Sequence, residues 1–203
     1  MNIKTLLRIV FLLALAALAT KALRAQSPTQ ASILRPPAGA KMALVEFADL
    51  ECPQCAVVAP LLDKAEKTYK IPVVVYDFPL PQHAWAFDGS VYAMYFRSKS
   101  PALEWKYRLF IYQNQPAITQ QNLRSYVEKF AAENKVALPF ALDPQGKLAA
   151  AVRASKDKGI AVKIDHTPTV YVVTSGGETP FVEVQKPTND LFATIDQVKS
   201  ELK

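Results

Sequence analysis

At 203 residues, half of them apolar and 21% charged, the chain is sized for one globular domain with room for an inserted subdomain, which excludes a disordered chain or a fibre. A formal charge of +6 would ordinarily point to nucleic acid or an anionic surface, but Lys4, Arg8, Lys21 and Arg24 all fall in the first 25 positions, which hold no acid. The rest carries 20 basic against 18 acidic side chains and nets +2, so no nucleic-acid partner is expected.

Residues 1–25 read as a signal peptide. Lys4 and Arg8 form a basic start, Ile9 to Ala19 gives eleven uninterrupted apolar residues, and small residues follow toward Ala25. That run is short for a bilayer span, which needs about 20 residues, and the expected cleavage lies near Ala25. Retention as a membrane anchor is the alternative, because Lys21 and Arg24 interrupt the cleavage region. Either way the body is expected outside the cytoplasm, in the periplasm or an equivalent extracytoplasmic space.

Residues 26–41 read as a tether of mostly extended backbone, with three prolines and one glycine between Gln26 and Ala40. The apolar run Ala43 to Phe47 and the β-branched run Ile71 to Tyr76 are strands. Between them a helix opens at Pro53, and Val57, Val58, Leu61, Leu62 and Ala65 recur along it at helical spacing. Strand, helix and strand with short connections predict a parallel pair with a right-handed crossover. From about 82 to 162 helical patterns take over: Ala84 to Arg97, Ala102 to Tyr112, a stripe of Leu123, Val127, Phe130 and Ala131 with Thr119 as its N-cap, and a fourth helix opened by Asp143-Pro144. The aromatic residues of this insertion, Trp85, Phe87, Tyr92, Tyr95, Phe96, Trp105, Tyr107 and Phe110, read mostly as its core. Thr169 to Val173 and Thr179 to Val184 form a hairpin about Ser175-Gly176-Gly177-Glu178. A final helix follows Asn189 or Asp190. The expected order is β, α, β, helical insertion, β, β, α, an α/β domain over 42–202.

The two cysteines stand as Cys52-Pro53-Gln54-Cys55 at the junction of the first strand and the first helix. Half a zinc site is one reading, although only His83 and His166 remain as further nitrogen donors. An inert staple is another, although so small a loop constrains the unfolded chain little. A redox dithiol suits the placement best. Cys52 at the helix N-terminus would meet unpaired N–H groups and the positive end of the helix dipole, which favour its thiolate. It is the expected nucleophile, with Cys55 one turn later as the resolving thiol. Pro53 stiffens the turn, and Gln54 tunes the site without a charge.

Taken together, Val45-Glu46-Phe47-Ala48-Asp49-Leu50-Glu51-Cys52-Pro53-Gln54-Cys55, Asp77-Phe78-Pro79-Leu80-Pro81-Gln82-His83 and Thr167-Pro168-Thr169-Val170-Tyr171 resemble the DsbA-like branch of the thioredoxin superfamily. The resemblance implies a thioredoxin-like fold with a helical insertion between the second and third core strands, and a redox-active centre in the bacterial envelope. It implies a cis Pro168 facing the cysteines, with Thr167 and Pro168 binding an extended client. It also places Glu46 as a buried acid beneath Cys55, where a raised pKa would suit it to take the proton Cys55 must lose. The strongly oxidising prototype has histidine where this chain has Gln54. That departure puts the expected potential between about −120 mV and about −270 mV.

The function so implied is that of an exported protein-disulfide oxidoreductase, with the oxidase direction favoured. The redox-active disulfide of Cys52 with Cys55 serves in place of a bound cofactor. Expected partners are reduced or unfolded secreted proteins and a membrane redox protein, and the tether is too short to supply a dimerisation domain, so a monomer is expected. His83 reads as a surface or capping residue, and His166, beside the proline loop, as a group that would favour the Cys52 thiolate when protonated. A different class stays open: a periplasmic metallochaperone holding Cu(I) through the two thiolates, or a chaperone module using the aromatic insertion.

Overall fold

The computed structural model describes residues 29–176 and 180–202. The signal segment and the start of the tether lie outside the described residues, as does most of the hairpin turn after Gly176. Four strands, β1 (Met42–Ala48), β2 (Val73–Asp77), β3 (Thr169–Thr174) and β4 (Phe181–Glu183), form one sheet in the order β2-β1-β3-β4. Around it lie α1 (Gln30–Ile33), α2 (Pro53–Tyr69), α3 (Ala86–Arg97), α4 (Pro101–Asn114), α5 (Leu123–Glu133), α6 (Lys147–Ala161) and α7 (Pro187–Glu201). The fold is the expected thioredoxin-like α/β arrangement, with α3 to α6 inserted between β2 and β3.

Every residue of β1 is buried, because the strand is central and both faces of the sheet are covered. It pairs in parallel with β2, from Leu44 opposite Val73 to Ala48 opposite Asp77, and antiparallel with β3. The two-residue alternation of side chains sorts its contacts. Leu44 packs with Val58 and Leu62 of α2 and Ile195 of α7, and Ala48 packs with Cys55 and the aromatic core of the insertion. Ala43, Val45 and Phe47 face the other way, toward Tyr171, Phe78 and Val162. Glu46, in the same alternation as Leu44 and Ala48, therefore points toward α2. Helix α6 closes the opposite face, and Gly159 is required there because a Cβ would overlap the Phe78 ring.

Several sequence expectations are corrected. The tether is not extended throughout: Thr29 caps α1, and Ile33 and Leu34 are buried against Ala43, Val45 and Tyr171, since two large apolar residues next to an open sheet face gain by docking. Val57 is 53% exposed; the apolar stripe of α2 is carried by Val58, Leu62 and Ala65, which turns Val57 outward. Asn122, not Thr119, occupies the N-cap of α5, because Thr119 and Asn122 first close a turn of their own through mutual side-chain bonds. Asp143 acts from a distance, accepting from the Ala149 N–H at 2.8 Å, while α6 itself starts at Lys147. Helix α7 starts at Pro187, whose missing N–H costs nothing in a first turn, and β4 is shorter than expected.

Candidate functional site

Chain direction and the Cys-Pro-Gln-Cys spacing build the site. Asp49 to Glu51 turn the chain out of β1, Cys52 occupies the N-cap of α2 with Pro53 at its first position, and Cys55 lies one turn along. Both cysteines are free thiols and both are buried, whereas Pro53 and Gln54 are exposed. The peptide bond between Thr167 and Pro168 is cis. It carries the Thr167 carbonyl to 3.2 Å from the Cys52 Sγ, which donates to it.

The two thiols differ in acidity. Cys52 is lowered from the ordinary 9.0 to about 5. The first cause is a hydrogen bond from the Cys55 thiol. Burial opposes it, and the Thr167 side chain and the backbone N–H groups of Cys55 and Gln54 add to the lowering. These N–H groups are orphans of the helix start and need an acceptor. Cys55 is pushed well above 9.0, first by burial, then by its bond to Cys52 and by the negative charges of Glu46 and Cys52. The Asp49 N–H, 3.5 Å from its sulfur, works in the other direction.

Glu46 is 1% exposed. Burial raises its carboxyl from 4.5 to about 8; the Arg108 charge opposes this, and the Cys52 and Asp77 charges add to it. Its Oε1 has no hydrogen-bond partner among the described residues. Arg108 reaches this face of the sheet from α4 and is itself buried, bound to both oxygens of Asp77 at 2.9 and 3.0 Å and to Glu104 at 2.9 and 3.0 Å.

Of the residues singled out from the sequence, Cys52, Cys55, Pro53, Gln54, Thr167 and Pro168 share one location, and Glu46 faces α2 from below. His166 does not join them. It is 64% exposed, with its Nδ1 2.7 Å from Asp165, and the leading influences on Cys52 come from Cys55, Thr167 and Gln54. His83 is no surface residue: it is half-buried, 2.7 Å from the fully buried Asp49 carboxylate. Asp49 also accepts from the backbone of Glu51 and Leu80, which fixes the loop leading to Cys52. Sequence reasoning missed Gln115, whose amide donates to the carbonyls of Leu50 at 2.7 Å and Cys52 at 3.1 Å. It also missed Arg108 and Tyr112; the i, i+4 spacing of Glu104, Arg108 and Tyr112 was the available signal.

A family model described as thioredoxin matches residues 33–179. The chain belongs to the thioredoxin family. Among solved structures, this thioredoxin-family protein is similar to alpha-DsbA1 of Wolbachia pipientis, with 14% identity over 83% of this chain and 95% of that one and a TM-score of 0.67. BdbD of Bacillus subtilis gives 18% identity over 80% and 90% of the two chains, at a TM-score of 0.63. The thiol-disulfide exchange protein alpha-DsbA2 from Wolbachia pipientis gives 13% over 81% and 85%, at 0.60. These likenesses place the fold with the DsbA-type structures. No curated protein matches the chain.

Proposed function

We propose that the protein is an exported thiol-disulfide oxidoreductase that passes its Cys52–Cys55 disulfide to reduced proteins of the bacterial envelope. The observation that carries this reading is the juxtaposition of a low-pKa Cys52 at a helix N-terminus with the cis Thr167–Pro168 bond, above a buried Cys55. An extended client lies along the Thr167–Pro168 loop, where proline offers no competing N–H. A client thiolate attacks Cys52 Sγ, and the bond to Cys55 breaks. Cys55 leaves with the electron pair and takes a proton from Glu46, which is largely protonated near neutral pH. A second client thiolate then attacks the client sulfur of the mixed disulfide and releases Cys52 as a thiolate. The client loses two electrons and the dithiol gains them. Stabilising the Cys52 thiolate favours the reduced form, so the oxidase direction is the favoured one.

Recharging needs a membrane redox partner able to accept two electrons, and the protein acts as a monomer in the periplasm or an equivalent compartment. Among the described residues no helix is long and apolar enough to cross a membrane, and the proposed export rests on residues 1–25. The test compares two assays with one preparation: oxidative refolding of a reduced client by the disulfide form, and reduction of insulin by the dithiol form. The proposal expects refolding to be the faster reaction. Efficient insulin reduction with no refolding activity would reverse the direction, and inactivity in both would overturn the proposal.

A further inference from the structure

Besides Glu46 Oε1, a second polar atom on this face of the sheet is buried without a hydrogen-bond partner among the described residues: the hydroxyl of Tyr112. Tyr112 is one turn beyond Arg108 on α4 and packs in the same core cluster as Ala48, Cys55 and Val75. Glu46 lies opposite Val75, and Ala48 opposite Asp77, the residue that anchors Arg108. The hydroxyl is within electrostatic reach of both Cys55 and Glu46. An unpaired buried hydroxyl costs stability that phenylalanine would not. Its position beside the reacting groups gives it a use.

For Glu46 to take a proton from Cys55 it must first be ionised, and an ionised carboxylate in this core needs a hydrogen-bond donor. Arg108 contributes charge, but four of its donor contacts are already spent on Asp77 and Glu104. The groups acting on Glu46 are thus Arg108 and Tyr112 from α4, Asp77 from β2, and Cys52 and Cys55 from α2. Of these, only the phenol is a neutral donor with nothing else to bind. We propose that Tyr112 is a positioning residue for proton transfer between Glu46 and Cys55, donating its hydroxyl hydrogen to the Glu46 carboxylate while that acid is ionised. The row Glu104, Arg108, Tyr112 then spans α4 from the cysteines to a groove of about 630 Å³ at the β2 edge, which Glu104, Arg108 and Val75 help to line.

The inference rests on the relay role of Glu46, so its test pairs Y112F with E46Q. The reduced protein is mixed with oxidised glutathione, and release of glutathione from the Cys52 mixed disulfide by Cys55 is followed against pH. Losing a hydrogen bond to a charged group raises the proton affinity of Glu46. Y112F is therefore expected to release glutathione about tenfold more slowly at pH 7, with the pH midpoint moved upward. Its thermal stability should equal or exceed that of the parent, and the reverse step, in which Cys55 leaves and Glu46 acts as an acid, should be little affected. A Y112F profile that superposes on the parent while E46Q still slows release overturns the inference and leaves the relay standing. If E46Q itself leaves release unchanged, the relay and this inference fail together.

Discussion

Two residues separate Cys52 from Cys55, and the two ends of that single helical turn are different solvents for a thiolate. At the upper end the sulfur accepts from the Cys55 thiol, then meets the Thr167 side chain and the orphan N–H groups of a helix start, and its pKa falls to about 5. At the lower end the sulfur is enclosed by the sheet and the insertion, near a buried acid, and its pKa rises. One turn of helix thus separates a stable leaving group from a thiol that needs help to lose its proton. The split gives the pair a direction: exchange enters at Cys52, and the proton traffic runs through Cys55 and Glu46.

The largest effects come from removing one end at a time. Cys52→Ser should abolish exchange, whereas Cys55→Ser should keep the first step and accumulate client mixed disulfides, visible on non-reducing gels. Cys55→Ser releasing clients at the parental rate would remove the resolving role. Arg108→Met attacks the floor beneath the lower end. It leaves Asp77 buried without its cation and Glu104 with only Arg97, at 3.4 Å, and should cost about 3–5 kcal/mol in denaturant unfolding; a loss under about 1 kcal/mol would mean that the ion cluster does not support this face of the sheet.

A subtler consequence appears in the pH dependence of stability. Between 5 and 9.0 the folded reduced protein holds fewer protons at Cys52 than the unfolded chain. This contribution therefore grows with pH and is lost as pH falls through 5. Between 4.5 and 8 the folded protein holds more protons at Glu46. That contribution is complete at low pH and is lost as pH rises through 8. In the reduced protein the two oppose each other from 5 to 8. The disulfide form has no Cys52 thiolate, so only the Glu46 decline remains. Unfolding midpoints of the two redox forms should diverge with rising pH, to the advantage of the reduced form; parallel curves would deny the split. Gln115→Ala is the smallest perturbation. It removes two bonds to the loop before α2 and should cost about 1 kcal/mol. It should raise the Cys52 pKa only slightly, because the N–H groups facing the sulfur belong to the helix itself.

What could be read in advance follows the range of the interactions. The strand-helix-strand unit, the helical insertion, the dithiol and the proline loop are written in local patterns or short motifs. Glu46 stood out because a carboxylate inside an apolar strand has to be explained. Arg108, Tyr112 and Gln115 did not stand out, because on a helix they read as ordinary side chains. They become part of the site only when α4 packs across the sheet and brings Arg108 against Asp77, 31 positions away, and Gln115 against Leu50, 65 positions away. His83 was misplaced for the same reason: its partner Asp49 is 34 positions away. Helix starts in the insertion were blurred by turns such as that of Thr119 and Asn122, which use the same residue types as caps.

The most direct test of the central claim is a thiolate absorbance titration of the reduced protein, with Cys55→Ser as the control that assigns the first thiol. The split environment predicts one thiolate appearing with a midpoint near 5 and the second only at strongly alkaline pH. Two thiols titrating together near 9.0 would contradict it.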